Sequence, residues 1–272
     1  MPLAPVAIPA QVAAHEGLVD VGDARLWYSD TGGSGAPIVL CHPASQSSLI
    51  WLYQQPVFAA AGYRVIAYCR RGVYRSEAGP KETGATTVGD LRRLLDGLRI
   101  ETAQLLGAAA GGISALGFTV ARPERVRSLV LAGTIFSPNE GSWRQMYDRL
   151  GLAAARKALG TDFLELGPSY RASNPEGVAK FLELEHHAKV GPPTSLPLGV
   201  DVTWATIASA NVPTLLLTGE ADLYAPPPLQ ALVARHMPRH EITTLREVGH
   251  APYWEAPEVF NRLVLEFLGR QP

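Results

Sequence analysis

Apolar residues recur along this chain in two alternating rhythms. Short unbroken apolar runs read as strands buried on both faces, and runs with apolar positions three and four apart read as helices. The series begins with "GLVDVGDARLWYSD", two short strands joined at Gly22-Asp23, a hairpin signal. "GSGAP" leads into the buried strand "IVLCH", then "SLIWLYQQPVFAAAG" has helical spacing and "YRVIAYC" is a second buried strand. Thr86 and Thr87 are candidate caps for a helix that places Val88, Leu91, Leu94, Leu95 and Leu98 on one face. "AQLLG" and "RVRSLVLAG" are strands flanking the helical run "GGISALGFTVA". The chain closes with the strand "VPTLLLTG", the helix "PLQALVARHM", the strand "EITTLREVG" and the amphipathic helix "PEVFNRLVLEFLG", ended by Gly269.

Strands alternating with helices predict an α/β fold built on a mostly parallel sheet with helices on both faces. The rhythm breaks from Ile135 to Ala208, where the pattern is helical, with prolines and aromatics and no buried strand. We read 1–134 and 209–272 as one core, and 135–208 as an insertion lying over the sheet rather than an independent domain.

Composition narrows the function classes. The 272 residues, 47% hydrophobic and 18% charged, describe an ordinary globular chain able to bury a sizeable core. A net charge of -1 argues against a nucleic-acid groove, which needs a basic surface. No apolar run reaches the ~18 residues of a membrane span, and the proline-broken start "MPLAPVAIPAQVAAHEG" reads as a loose arm rather than a signal peptide. Cys41 and Cys69 form no ligand spacing and read as buried thiols, which favours the cytoplasm.

Three pieces of candidate chemistry fall at strand ends, where sheets of this kind bind ligands. "GAAAGG", from Gly107 to Gly112, is a strand, a glycine-bracketed turn and a helix, with Ala109 at its centre. Glycines two before and two after that position relieve crowding in a tight, strained turn. The segment lacks the spacing of a dinucleotide loop and the lysine of a phosphate loop. Asp222 follows the strand "TLLL"; it can orient an imidazole or serve as a turn aspartate, and Glu220 nearby competes for the first role. His250 follows the strand-end Gly249, about thirty residues later, where a general base can sit.

With these residues in this order the chain resembles the α/β-hydrolase family, whose nucleophile, acid and histidine follow the same sequence. "IVLCHPAS" resembles the family's oxyanion segment, "GYRVIAYCRRGVYRS" its next strand and arginine-glycine loop, and "GHAPYWEAPEVF" its histidine motif. The resemblance implies an eight-stranded, mostly parallel sheet with a helical cap after the sixth strand. It also implies an oxyanion hole from the backbone amides of Ala44 and Ala110. Four positions depart from the pattern: Pro43 replaces a glycine, Cys69 and Tyr74 stand where an aspartate and a glycine are common, and Ala109 stands at the nucleophile position.

Ser45, Ser47, Ser48 and Ser114 lie near the strand–turn–helix elbow at Ala109, but backbone direction suits them to capping, solvation or a hydrogen bond to substrate, and Cys41 to burial. Small residues around Ala109 favour serine over aspartate as the residue replaced. Trp143 and Tyr147, four apart on one helical face, are the cap residues expected to line the pocket with Ser45. The expected function is a hydrolase acting on a small ester, lactone, amide or activated carbon–carbon bond. Asp222 and His250 would complete its triad, and this chain would be its inactive form. A lyase or cofactor-free oxygenase using His250 as base, and a ligand-binding pseudoenzyme, are the rival readings. No metal or organic cofactor is implied. The expected partner is a small-molecule substrate, with no nucleic acid and no membrane, and a homodimer is left open.

Overall fold

The computed structural model describes residues 5–191 and 194–271; residues 1–4, 192–193 and 272, parts of the expected core and cap, lie outside the described residues. Eight strands form one sheet: β1 His15–Asp20, β2 Arg25–Asp30, β3 Pro37–Cys41, β4 Arg64–Tyr68, β5 Ala103–Ala108, β6 Val126–Ala132, β7 Thr214–Gly219 and β8 His240–Leu245. Their spatial order is β1-β2-β4-β3-β5-β6-β7-β8; the β1–β2 and β2–β4 pairs are antiparallel and the other pairs parallel.

Alternate residues along the strands feed two cores, one on each face of the sheet. Val39, Leu105, Leu129, Leu131 and Leu216 point to one face, while Ile38, Leu40, Leu106, Val130, Leu215 and Leu217 point to the other. Helix α1 (Gln55–Ala60) covers the second face through Phe58. Helices α2 (Thr87–Gly97) and α3 (Ala110–Ala121) cover the first. Thr86 caps α2, its hydroxyl accepting from the Gly89 amide at 3.0 Å, an interaction worth about 1 kcal/mol. The expected apolar stripe of α2 is buried except for the partly buried Leu98.

Between β6 and β7 the chain forms α4 (Gly141–Asp148), α5 (Leu152–Ala158), α6 (Thr161–Glu165), α7 (Pro168–Ser173), α8 (Pro175–Ala188) and α9 (Trp204–Ala210). Tyr170, Phe181 and Leu184 of this stretch join the second core. The expected boundary at 208/209 cuts through α9, whose Ile207 packs in the first core, so α9 belongs with the helices of the sheet. Helix α10 (Pro227–Ala234) covers the first face, and the short α11 (Pro252–Glu255) and α12 (Pro257–Leu268) cover the second.

Two expectations are corrected here. Gly269 ends α12 at φ -66, a right-handed value, so the helix stops without a left-handed cap. The described part of the N-terminal arm is docked: the Tyr53 hydroxyl donates to the Val6 carbonyl at 2.8 Å, and Gln55 bonds both backbone groups of Val12.

Candidate active site

Ala109 occupies the turn between β5 and α3 at φ 47, ψ -115, a conformation that costs a residue with a Cβ about 1–3 kcal/mol. The turn survives because its surroundings fix it. The Ala109 amide donates to the Ala132 carbonyl at 2.9 Å, and α3 passes so close to β3 that a Cβ on Gly111 would lie 2.0 Å from the Cys41 carbonyl oxygen.

His250 follows β8. Its amide donates to the Glu165 carbonyl at 2.8 Å, and its Nδ1 lies 2.9 Å from both oxygens of Asp222. Asp222 Oδ1 in turn accepts from the amides of Tyr224 and Ala225 at 2.8 and 2.9 Å. With Nδ1–H donating to the carboxylate, Nε2 is the free basic atom. Glu220, the competitor for this role, accepts instead from the Glu247 amide. Burial lowers the pKa of the His250 imidazole, but the Asp222 carboxylate, aided by Glu165 and Glu255, outweighs it and leaves the pKa above the usual value. Gly133, at φ 53 after β6, gives the dyad room: a Cβ there would lie 2.5 Å from the His250 carbonyl oxygen and 3.1 Å from Nδ1.

A third cluster sets the loop after β3. His42 Nε2 accepts from the Arg70 amide at 3.0 Å, so Nδ1 carries the proton and donates to the Pro43 carbonyl at 2.7 Å. Burial, and then the Arg70 charge, pull the His42 pKa down to about 3, so the ring is neutral. The Arg70 guanidinium donates to the same carbonyl at 3.1 Å. Because a peptide is planar and trans, fixing that carbonyl turns the Ala44 N–H the opposite way.

Ala44, Ser45, Ala109, Ala110 and His250 line one cavity of about 470 Å³. Trp143 and Tyr147 do not line it. They stack on each other, centroids 4.8 Å apart, and pack against the first core, so their shared face meets the body of the protein. Ile135, Thr161, Glu165, Glu185 and Tyr224 complete the wall in their place. Glu165 is buried and accepts from the Ser45 hydroxyl at 2.8 Å. Its pKa is raised, since burial and the Glu185 and Asp222 charges outweigh His250 and the Ser45 hydroxyl. Glu185 accepts from Thr161 and Lys189 at 2.9 and 2.5 Å. The one sequence signal for Glu165 is its position between two leucines, Leu164 and Leu166, immediately before Gly167-Pro168.

The other hydroxyls are engaged elsewhere. Ser47 caps the turn Ser48–Tyr53, Ser48 lies 3.0 Å from the Cys69 sulfur, and Ser114 donates back to the Ala110 carbonyl within α3. Tyr74 keeps a positive φ of 53 where the family pattern has glycine, its ring set edge-on against Trp27. Among the described residues no group of His, Cys, Asp and Glu is arranged to hold a metal, and no helix is long and apolar enough to cross a membrane.

Comparison with known proteins agrees with this architecture. Residues 38–263 match the sequence model described as "Alpha/beta hydrolase family". A 2-hydroxy-6-oxononadienedioate/2-hydroxy-6-oxononatrienedioate hydrolase of Burkholderia vietnamiensis is 29% identical over 269 residues, covering 92% of this chain and 93% of that protein. Among solved structures, a thermophilic esterase of Thermogutta terrifontis superposes with a TM-score of 0.76 at 24% identity, covering 94% of this chain and 99% of that one. The enol-lactonase of Burkholderia xenovorans gives 0.74 at 22%, covering 93% and 100%.

Proposed function

The chain belongs to the alpha/beta hydrolase family and is an enzyme of the hydrolase type, and we propose that its site is built for acyl transfer through a serine–histidine–aspartate triad whose serine position is held by Ala109. The observation that carries this reading is the 2.9 Å His250–Asp222 pair opening on the cavity that also holds the strained Ala109 turn. A serine at 109 would attack the carbonyl of a small ester, lactone, amide or activated ketone. His250 Nε2 would take its proton, and Asp222 would stabilise the imidazolium. The tetrahedral oxygen would accept hydrogen bonds from the Ala44 and Ala110 amides, the first fixed in direction by the pinned Pro43 carbonyl. His250 would then protonate the leaving group, and water would release the acyl chain by the same steps. With a methyl group at 109 the chain binds substrate and does not turn it over.

The test is Ala109→Ser, assayed on a panel of esters, lactones, amides and cleavable diketones. Turnover should rise by up to about 10⁶-fold and vanish again in the Ala109→Ser, His250→Ala double variant. Absence of turnover on the whole panel by a folded Ala109→Ser protein refutes the triad reading.

A further inference from the structure

A second cavity, of about 370 Å³, shares Ala44 with the first as a lining residue. Its wall is largely apolar, with Leu26, Tyr68, Val73 and Leu196, and it holds three charged side chains. Two of these compensate each other's charge: Arg71 donates to both oxygens of Asp90, at 2.7 and 2.8 Å, and also pairs with Asp23, although its Nη1 is left without an acceptor. The third is Arg70. Its guanidinium donates to the Pro43 carbonyl, its Nε is buried without an acceptor, and no carboxylate lies within ion-pair distance among the described residues. Desolvation destabilises this cation, lowering its pKa. A partly buried guanidinium facing a largely apolar cavity without a carboxylate of its own is an arrangement that a ligand anion completes.

We propose that the Arg70 cavity is an acyl-side subsite for a substrate carboxylate. The substrate class is therefore dicarboxylate half-esters, or lactones and amides carrying a free carboxylate on the acyl portion. This deepens the acyl-transfer reading and rests on it for the direction of the substrate. The leaving group takes its proton from His250, so it lies in the cavity walled by Glu165 and Glu185, where a second anion is repelled. The acyl chain then runs past Ala44, toward Arg70. One uncompensated cation matches a monoanion, and the planar fork of a guanidinium matches a carboxylate.

The test compares 4-nitrophenyl half-esters of succinate, glutarate and adipate with their neutral methyl diesters, using the Ala109→Ser form. At the best chain length the free carboxylate should raise kcat/KM about 10- to 100-fold, the range of a charge-assisted hydrogen bond. Because Arg70 also holds the Pro43 carbonyl, the readout is the ratio of half-ester to diester within each variant, which cancels any general loss. Arg70→Gln should bring the ratio to about one, Arg70→Lys should restore part of it, and Leu196→Glu should bring it below one. A ratio of one or less in the Ala109→Ser form at every chain length, or a preference that Arg70→Gln leaves intact, overturns the subsite while acyl transfer stands. If Ala109→Ser hydrolyses nothing, the acyl-transfer reading falls by itself, and calorimetric titration of the present chain with succinate, glutarate and adipate decides the subsite. Saturable binding weakened about 10- to 100-fold by Arg70→Gln supports it, and no saturable heat overturns it.

Discussion

Replacing Ala109 by glycine should stabilise this protein, against the usual effect of glycine in a structured element. At φ 47, ψ -115 the alanine Cβ is crowded by its own backbone, a strain of about 1–3 kcal/mol that glycine removes. Two terms oppose the gain. Glycine's freer unfolded chain takes back about 0.4–1 kcal/mol, and loss of the methyl at a position 6% exposed takes back at most about 0.8 kcal/mol. The net is a gain of about 1 kcal/mol. At about 2.1 cal/mol/K of unfolding entropy per residue over 272 residues, that is a rise in Tm of about 2 °C. Urea denaturation of Ala109, Ala109→Gly and Ala109→Ser, followed by circular dichroism with scanning calorimetry alongside, reads the order directly. Serine shares alanine's backbone preference and should fall within about 0.5 kcal/mol of it. A glycine variant less stable than the present chain by more than about 0.8 kcal/mol would put the strain below the range of about 1–3 kcal/mol. The elbow would then lose the physical reason for holding a side chain outward.

Four further outcomes are expected. Since the His250 pKa is raised and the base acts deprotonated, kcat/KM of the Ala109→Ser form should fall on the acid side with a midpoint above 6.5; a midpoint below that value contradicts the Asp222 partnership. Asp222→Asn in that form should lose about 10⁴-fold in turnover, the mark of the wrong imidazole tautomer, and a loss under tenfold refutes the assignment. Gly133→Ala should destabilise by about 1–3 kcal/mol and shift the His250 ring proton resonances, because its Cβ would press on both the backbone and Nδ1 of that residue. Unchanged stability and resonances would show that Gly133 does not shape the dyad. The thiols of Cys41 and Cys69, pushed by burial up to about 12 and about 11, should stay unlabelled by a disulfide reagent until the protein unfolds.

The strands and the pairing of Asp222 with His250 were readable because each depends on local pattern: an unbroken apolar run, then a turn. Residues brought in by the insertion were not. Glu165 ends a helix of five residues, too short to show a periodic face, and a lone glutamate reads as solvent-facing until tertiary packing buries it. Spacing placed Trp143 and Tyr147 on one face, and they do stack, but periodicity says which residues share a face and not what that face meets. Gly133 gave no signal because its need comes from His250, more than a hundred residues away. Arg70 sits beside another arginine, and only the structure shows that Arg71 alone takes the two nearby aspartates.

The site draws one piece from each of five parallel strand ends, those of β3, β5, β6, β7 and β8. Parallel neighbours are joined through crossovers, so none of these pieces is made by a local hairpin. Contacts of this separation form slowly, after loop entropy has been lost across most of the chain. The Asp222–His250 hydrogen bond spans the last two strands of the sheet, at its far edge. During refolding, helical ellipticity therefore returns before the cavity can hold a ligand. A chain that has recovered its helices but not its outermost strand has every residue of the candidate site in its sequence and no place where they meet.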